Sequence, residues 1–244
     1  MLSEEEMDRY DRQIRIFGIE GQEKIKKSHI VVVGVGGLGS VVSKYLVAAG
    51  VGKITIIDKD VVELSDLNRQ VLYDVDAIGK EKVFYAEKKL KKLNPHVTIN
   101  PINMGLEYGK IRRIIHDADI VIDCLDNWSA RHILNKACVD EGKILIHGGI
   151  RGLYGQVMVI VPRKTACLYC MARRKKDEEE VIPVLGTTPA VIGAIQAMEA
   201  IKIITGYGKP LIGRMLIFDG YSMEFDIVEV ERDEKCPVCG RKEQ

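Results

Sequence analysis

Long apolar runs, a surplus of charge of one sign, internal repeats and a cleavable leader are all missing from this sequence. No stretch is apolar over the length that spans a membrane, and the acidic start MLSEEEMDR offers no signal segment, so a cytoplasmic protein without a membrane partner is expected. Lys and Arg number 36 against 35 Asp and Glu, a net charge of +1, which implies no polyanionic partner and no nucleic acid binding. Apart from His147, the histidines show no metal-ligand spacing. What is present is 244 residues, 46% hydrophobic and 29% charged, enough to bury a full core without disulfides or metals being obligatory. Six cysteines include two CxxC pairs, Cys167 with Cys170 and Cys236 with Cys239. In a chain lacking a secretion signal these point to metal binding rather than disulfides.

The chain is organised around Ile30 to Arg69. A buried strand pattern, Ile30 to Val33, breaks into Gly34, Gly36, Gly37 and Gly39, after which Val41, Val42, Tyr45, Leu46 and Ala49 recur at helical spacing up to Gly50. A second strand, Ile54 to Ile57, ends on Asp58, about twenty residues past the glycines, where a carboxylate reaches a ribose hydroxyl. Bare backbone N–H groups at the positive end of a helix accept a phosphate that any Cβ would hold away. The motif alone suits NAD, FAD, S-adenosylmethionine and ATP equally. The polar run Asp60, Glu63, Ser65, Asp66, Asn68, Arg69 and Gln70 narrows the choice. A pyrophosphate carries about two negative charges and a triphosphate about four, and the latter requires fixed cations. Arg69, with Lys80 and Lys82 opening the next helix, is placed to supply them.

The rest of the chain continues the alternation of strand and helix. Ser3 and Glu6 suggest a capping box, followed by one helix with Met7, Tyr10, Ile14 and Phe17 on one face and Arg9, Arg12 and Arg15 on the other. That basic face reads equally as a solvated surface or as an arm packed on a neighbouring subunit. Lys80 to Leu93 reads as a helix, Val97 to Ile102 as an edge strand because it holds Pro101, and Ile111 to Ile115 as a short helix. A fourth strand, Asp119 to Asp123, runs into Cys124, Leu125, Asp126 and Asn127. Asp126 there is a magnesium ligand or, alternatively, one of Asp126 and Asn127 caps the helix starting near Trp128. Ile144 to Ile146 gives a fifth strand, with His147 after it more plausibly structural than catalytic. Gln156 to Val161, Met215 to Phe218 and Phe225 to Val230 lack crossovers and predict an antiparallel extension. The charge run Arg173 to Glu180 reads as an exposed loop or lid, and Thr188 as the cap of a helix carrying Pro189 in its first turn and ending at Gly206. Cys124 and Cys138 read as core residues, whereas Cys167, Cys170, Cys236 and Cys239 are expected to form a tetrahedral structural zinc site rather than redox dithiols or unpaired thiols. The expected class is α/β, a Rossmann-like parallel sheet extended by antiparallel strands, with a structural zinc knuckle.

These motifs together resemble the ubiquitin-activating-like adenylyltransferases, in particular the bacterial and archaeal enzymes that activate sulfur carriers for molybdopterin and thiamine synthesis. The resemblance runs through RYDRQI from Arg9, GVGGLG from Gly34, DKDVVELSDLNRQ from Asp58, GKEK ending at Lys82, DCLDN from Asp123, both CxxC pairs, and AIQAMEAIKIITG from Ala194. It implies a single unit over 1–244, with an N-terminal helical arm (1–29), a nucleotide-binding half (30–150) and an antiparallel, zinc- and carrier-binding half (151–244). It further implies ATP, Mg2+ and structural Zn2+ as cofactors, and a ubiquitin-like β-grasp carrier and a second copy of the chain as partners. Asp58 is then expected to hold the ribose, with Gly34, Gly36, Gly37, Gly39, Asp60 and Leu125 around the nucleotide. Ser65, Asp66, Asn68, Arg69 and Lys82 line the phosphates, Asp126 binds magnesium, and Arg12 reaches the partner subunit's ATP. Arg12, Arg69, Lys82 and Asp126 are the expected catalytic set.

Two departures stand out. Asp66 replaces the family's usual Asn and brings an extra carboxylate toward the phosphates. The loop from Met171 to Gly193 also lacks the cysteine of members that form a covalent thio-intermediate, so a thioester or persulfide step in that loop is excluded. The expected reaction is adenylylation of a carrier's C-terminal carboxylate. The alternatives are an NAD-linked oxidoreductase from the glycine motif alone, a tRNA-modifying relative, and the non-catalytic scaffold half of a heterodimer. A scaffold half should have lost one of Arg12, Arg69, Lys82 or Asp126, and none is lost.

Overall fold

Residues 1–173, 175, 177 and 182–240 are described by a computed structural model. The Val- and Ile-rich runs become the largely buried strands β1 (His29–Val33), β2 (Lys53–Asp58), β4 (Ile120–Asp123) and β5 (Ile144–Arg151), while β3 (Thr98–Asn103) is half exposed, with Ile99 its buried residue. They pair in parallel in the order β3-β2-β1-β4-β5, with β3, which holds Pro101, at the edge. Beyond β5 the sheet continues antiparallel through β6 (Tyr154–Ile160), β7 (Arg214–Asp219) and β8 (Glu224–Glu229), the three strands that lack crossovers in the sequence. Chain order reverses between β1 and β4, and ligands bind outside the carboxyl ends of strands at such a point.

Helices α3 (Gly37–Ala48), α4 (Lys82–Leu93) and α8 (Thr187–Thr205) lie over one face, where Val32, Ile54, Ile56, Ile146 and Val157 form the larger core. On the other face α5 (Tyr108–Ile115), α6 (Trp128–Glu141) and the short α7 (Leu168–Ala172) cover Val31, Val33, Val121, Leu145 and Met158. The small residues of α8 allow close packing on α3, since a Cβ on Gly193 would stand 2.9 Å from the carbonyl oxygen of Leu38. No helix among the described residues is long and apolar enough to cross a membrane.

Two sequence expectations need correction. The N-terminal segment is not one amphipathic helix but two, α1 (Glu4–Arg9), which carries the Ser3–Glu6 capping box, and α2 (Asp11–Lys27), which is kinked at Gly18 with φ 76°. Tyr10 breaks them because its ring is drawn into the core against Gly50 and its hydroxyl accepts a 2.7 Å hydrogen bond from Asn94. Thr188 is not the cap of α8, which begins one residue earlier. Its hydroxyl donates instead to the carbonyl of Gly152 at 2.9 Å and ties the helix start to the β5–β6 turn.

Candidate active site

A cleft of about 950 Å3 opens at the carboxyl ends of the parallel strands. Its floor is the turn after β1. Gly34 adopts φ 89° and donates to the carbonyl of Ile57 at 2.8 Å; a Cβ there would stand 2.6 Å from the carbonyl oxygen of Cys124. Gly36 and Gly37 line the cleft at the start of α3, whose N-terminus has no side-chain cap, so its N–H groups and positive dipole end face the opening. Gly39 does not line it. A Cβ at Gly39 would run into the carbonyl oxygen of Gly34, so this glycine serves close packing of helix on strand. Asp58 ends β2 with one carboxylate oxygen accepting from Val35 N–H at 2.7 Å and the other from Asp60 N–H at 2.9 Å. Burial nonetheless pushes its pKa up, because desolvation outweighs these donors and the charge of Lys82.

The expected cations converge on this turn. Arg69 and Lys82 both line the cleft, as does Asp60, whose carboxylate lies 3.9 Å from the Lys82 ammonium. Ser65, Asp66 and Asn68 are not among the described lining residues; they stand behind Arg69 and aim it. The Arg69 guanidinium donates to the carbonyl of Ser65 at 2.7 Å, to Asn68 Oδ1 at 3.0 Å and to Asp66 Oδ1 at 3.3 Å. Buried Asp66 also accepts from Gln70 at 2.6 Å and lies 3.4 Å from Lys82, itself only 6% exposed. Its charge is therefore turned away from the opening and toward both cations. Lys80 does not join them and sits over the ring of Tyr85, 5.5 Å from its centre.

Asn127, rather than Asp126, caps α6 by accepting from Ala130 N–H at 2.9 Å. That leaves the exposed Asp126 carboxylate at the cleft, touched only by the Asn127 side-chain amide at 3.1 Å among the hydrogen bonds of the described residues. Of the charge run, Arg174, Lys176 and Glu178 to Glu180 lie outside the described residues. Lys175 and Asp177 line the cleft, and Asp177 accepts from the N–H groups of Trp128 and Ser129 at 2.6 and 3.0 Å. The Ser129 hydroxyl, which also donates to it, and then these N–H groups hold its carboxyl below the usual range. Arg12 is exposed on α2 and is not among the described residues lining the cleft.

The wall toward β5–β7 contains residues not anticipated from sequence: Arg131, Gly149, Tyr154, Gly155, Gln156 and Ile217. Behind them His147 is fully buried and bonded to Asp123, so its reading as structural rather than catalytic places it one layer behind the cleft. No spacing signal marks Gln156, because only the β5–β6 hairpin register, which opposes Gly149 and Gln156, brings it there.

Away from the cleft, the Sγ atoms of Cys167, Cys170, Cys236 and Cys239 lie within 4.8 Å of one another. Three of these separations are 3.9, 3.8 and 3.4 Å. A tetrahedral ion with metal–sulfur bonds of about 2.3 Å needs edges of about 3.8 Å, so the thiols fit zinc. Burial pushes the Cys167 thiol up and Cys170 up to about 11, whereas the backbone N–H groups of Cys239 and Val238 outweigh burial and hold Cys236 below the usual thiol value. Cys124 and Cys138 are also pushed up by burial, and both sit in the core.

Three comparisons bear on this geometry. The profile of the ThiF family matches residues 10–238. The chain is 39% identical over 251 residues to the sulfur carrier protein adenylyltransferase of Thermus thermophilus, covering 98% of this chain and 92% of that protein. It is 38% identical to the molybdopterin-synthase adenylyltransferase of Escherichia coli, covering 98% and 99%. The crystal structure of E. coli MccB with ATP superimposes with a TM-score of 0.83 at 27% identity, covering 96% of this chain and 74% of that one.

Proposed function

This chain belongs to the ThiF family, and from that premise we propose that it transfers an adenylyl group from ATP to the C-terminal carboxylate of a small ubiquitin-like sulfur carrier. The observation that carries the reading is the meeting of Arg69, Lys82 and Asp126 with the glycine turn in one cleft. A carrier carboxylate oxygen attacks the α-phosphorus of ATP, the bond to the bridging oxygen breaks, and pyrophosphate leaves with the charge, giving an acyl-adenylate. The carboxylate is its own nucleophile, so the chain needs only alignment and fixed cations for the leaving group.

In this reading the N–H groups of Gly36 and Gly37 and the start of α3 receive phosphate, Asp58 receives the ribose, and Arg69 and Lys82 offset the developing charge. The exposed carboxylate of Asp126 suits a hard divalent cation, and magnesium held there would supply further charge neutralisation on the phosphates. The pKa elevation of Cys124 and Cys138 fits a turnover without a thioester on either. We also infer structural zinc in the four-cysteine knuckle. A two-fold homodimer in the cytoplasm completes the proposal, with Arg12 of each arm crossing to the neighbouring cleft.

The test is exchange of labelled pyrophosphate into ATP that depends on both enzyme and carrier. Asp126→Ala should reduce it by at least about a hundredfold while far-UV circular dichroism stays unchanged. Exchange at the wild-type rate in that variant would remove Asp126 from the reaction.

A further inference from the structure

The β5–β7 wall of the cleft rests on a buried polar chain. His147 on β5 is 0% exposed, with Nδ1 2.7 Å from an oxygen of Asp123 and Nε2 3.0 Å from the side-chain nitrogen of Gln156 on β6. The second oxygen of Asp123 accepts from Leu125 N–H at 3.0 Å. A carboxylate only accepts, so His147 Nδ1 carries the proton. Nε2 of the neutral ring is then an acceptor, Gln156 must offer its NH2 group, and its Oε1 is turned away from His147. The charged groups facing the imidazole are Asp123 from β4 and Arg131 from α6, with the Trp128 ring 6.5 Å away and neutral Gln156 on the β6 side. Burial lowers the ring's pKa, against the pull of Asp123.

Gln156 sits on the cleft wall beside Gly149, Gly155 and Ile217, on the opposite side of the sheet's switch point from the glycine turn and Asp58. Phosphate oxygens only accept hydrogen bonds, so an amide oxygen on this wall has nothing to offer them. An extended peptide running past two glycines presents backbone N–H groups, which such an oxygen accepts.

We propose that His147 and Asp123 are positioning residues for the carrier's carboxyl-terminal tail, locking the Gln156 amide with its oxygen available to a backbone N–H of that tail. The inference rests on the adenylylation reading and deepens it by naming the group that holds the tail. Protonating His147 reverses the arrangement. An imidazolium donates from both nitrogens, so the amide must turn its oxygen inward and present NH2 to the cleft, converting an acceptor into a donor.

The experiment measures pyrophosphate exchange with a panel of ubiquitin-like carriers bearing free carboxyl termini, for wild type, His147→Phe, Gln156→Met and the double variant. Each single substitution should raise the KM for carrier about tenfold, the value of one well-placed hydrogen bond, with kcat and the KM for ATP changed less than about twofold. The double variant should be no worse than Gln156→Met, because His147 acts through Gln156. Because burial holds the ring neutral to below the ordinary histidine range, the wild-type KM for carrier should rise only as pH falls below that range while that for ATP does not follow, and Gln156→Met should lose this dependence. A structural role for His147 would instead add to the Gln156 effect, lower thermal stability and leave the two KM values unseparated; that result overturns the inference. Because the pH profile uses unmodified protein, it decides the matter even if His147→Phe fails to fold. Absence of exchange by the wild type with every carrier would overturn the adenylylation reading and this inference together. Exchange with an unchanged carrier KM in both single variants would overturn this inference alone.

Discussion

Asp66 carries one more negative charge than the family pattern expects, and its neighbours show where that charge goes. Packed 3.4 Å from Lys82 and 3.3 Å from Arg69, it orders both cations while offsetting part of their field at the cleft. Asp66→Asn should therefore act in two directions. ATP should bind more tightly by about 1 kcal/mol, or roughly fivefold, because a carboxylate close to the phosphates is removed. Folding stability should fall by about 1–3 kcal/mol, because buried Lys82 and the Glu63 N–H lose acceptor charge. Calorimetric ATP titration and urea unfolding read the two effects separately, and weaker ATP binding in the variant would contradict the assignment. Asp126 is legible in the sequence because it lies just past the carboxyl end of β4, and Arg69 and Lys82 because they belong to the polar run and the helix start that follow β2, where the topology fixes the site. Gln156 and His147 are not, since what they touch depends on pairing between strands.

At the scale of elements, the tail illustrates how little local sequence holds a segment down. The turn around Cys236 and Cys239 packs on α7, and Arg232 donates to the carbonyls of Arg163 and Cys239. The rest of its anchorage is the four thiols. One zinc per chain by elemental analysis is the expected result, and Cys236→Ser should lower the melting temperature by several degrees while changing ATP affinity less than about twofold. Metal-free protein with an unaltered melting temperature would defeat this. Helix boundaries are set partly by local chemistry and partly by distant contacts. Asn127 is identifiable as one of two cap candidates because cap chemistry is local, and the structure selects it over Asp126. The break at Tyr10 and the start of α8 are not local. One is imposed by a ring that reaches Asn94, the other by a hydroxyl that finds Gly152.

For the whole molecule, the position of Arg12 is the telling fact. Exposed on α2 and outside the lining of its own cleft, it contributes to catalysis only if its arm reaches another chain. In a closed two-fold dimer both sites are then composite. Mixing Arg12→Ala subunits with Arg69→Ala subunits should restore exchange to roughly half the wild-type value per mixed dimer, since one site holds both substitutions and the other neither. No recovery despite subunit exchange demonstrated by mass spectrometry would place Arg12 outside the reaction. The sequence by itself determined the alternation of strands and helices, the edge position of β3, the antiparallel extension and the pairing of the CxxC motifs, because periodicity, proline and cysteine spacing are properties of neighbouring residues. Only the tertiary structure decided that Asp66 faces the cations rather than the opening, that Gly39 packs instead of lining the cleft, and that His147 and Gln156 meet. Each of those depends on which residue the sheet register and helix packing bring alongside, and a linear sequence does not carry that distance.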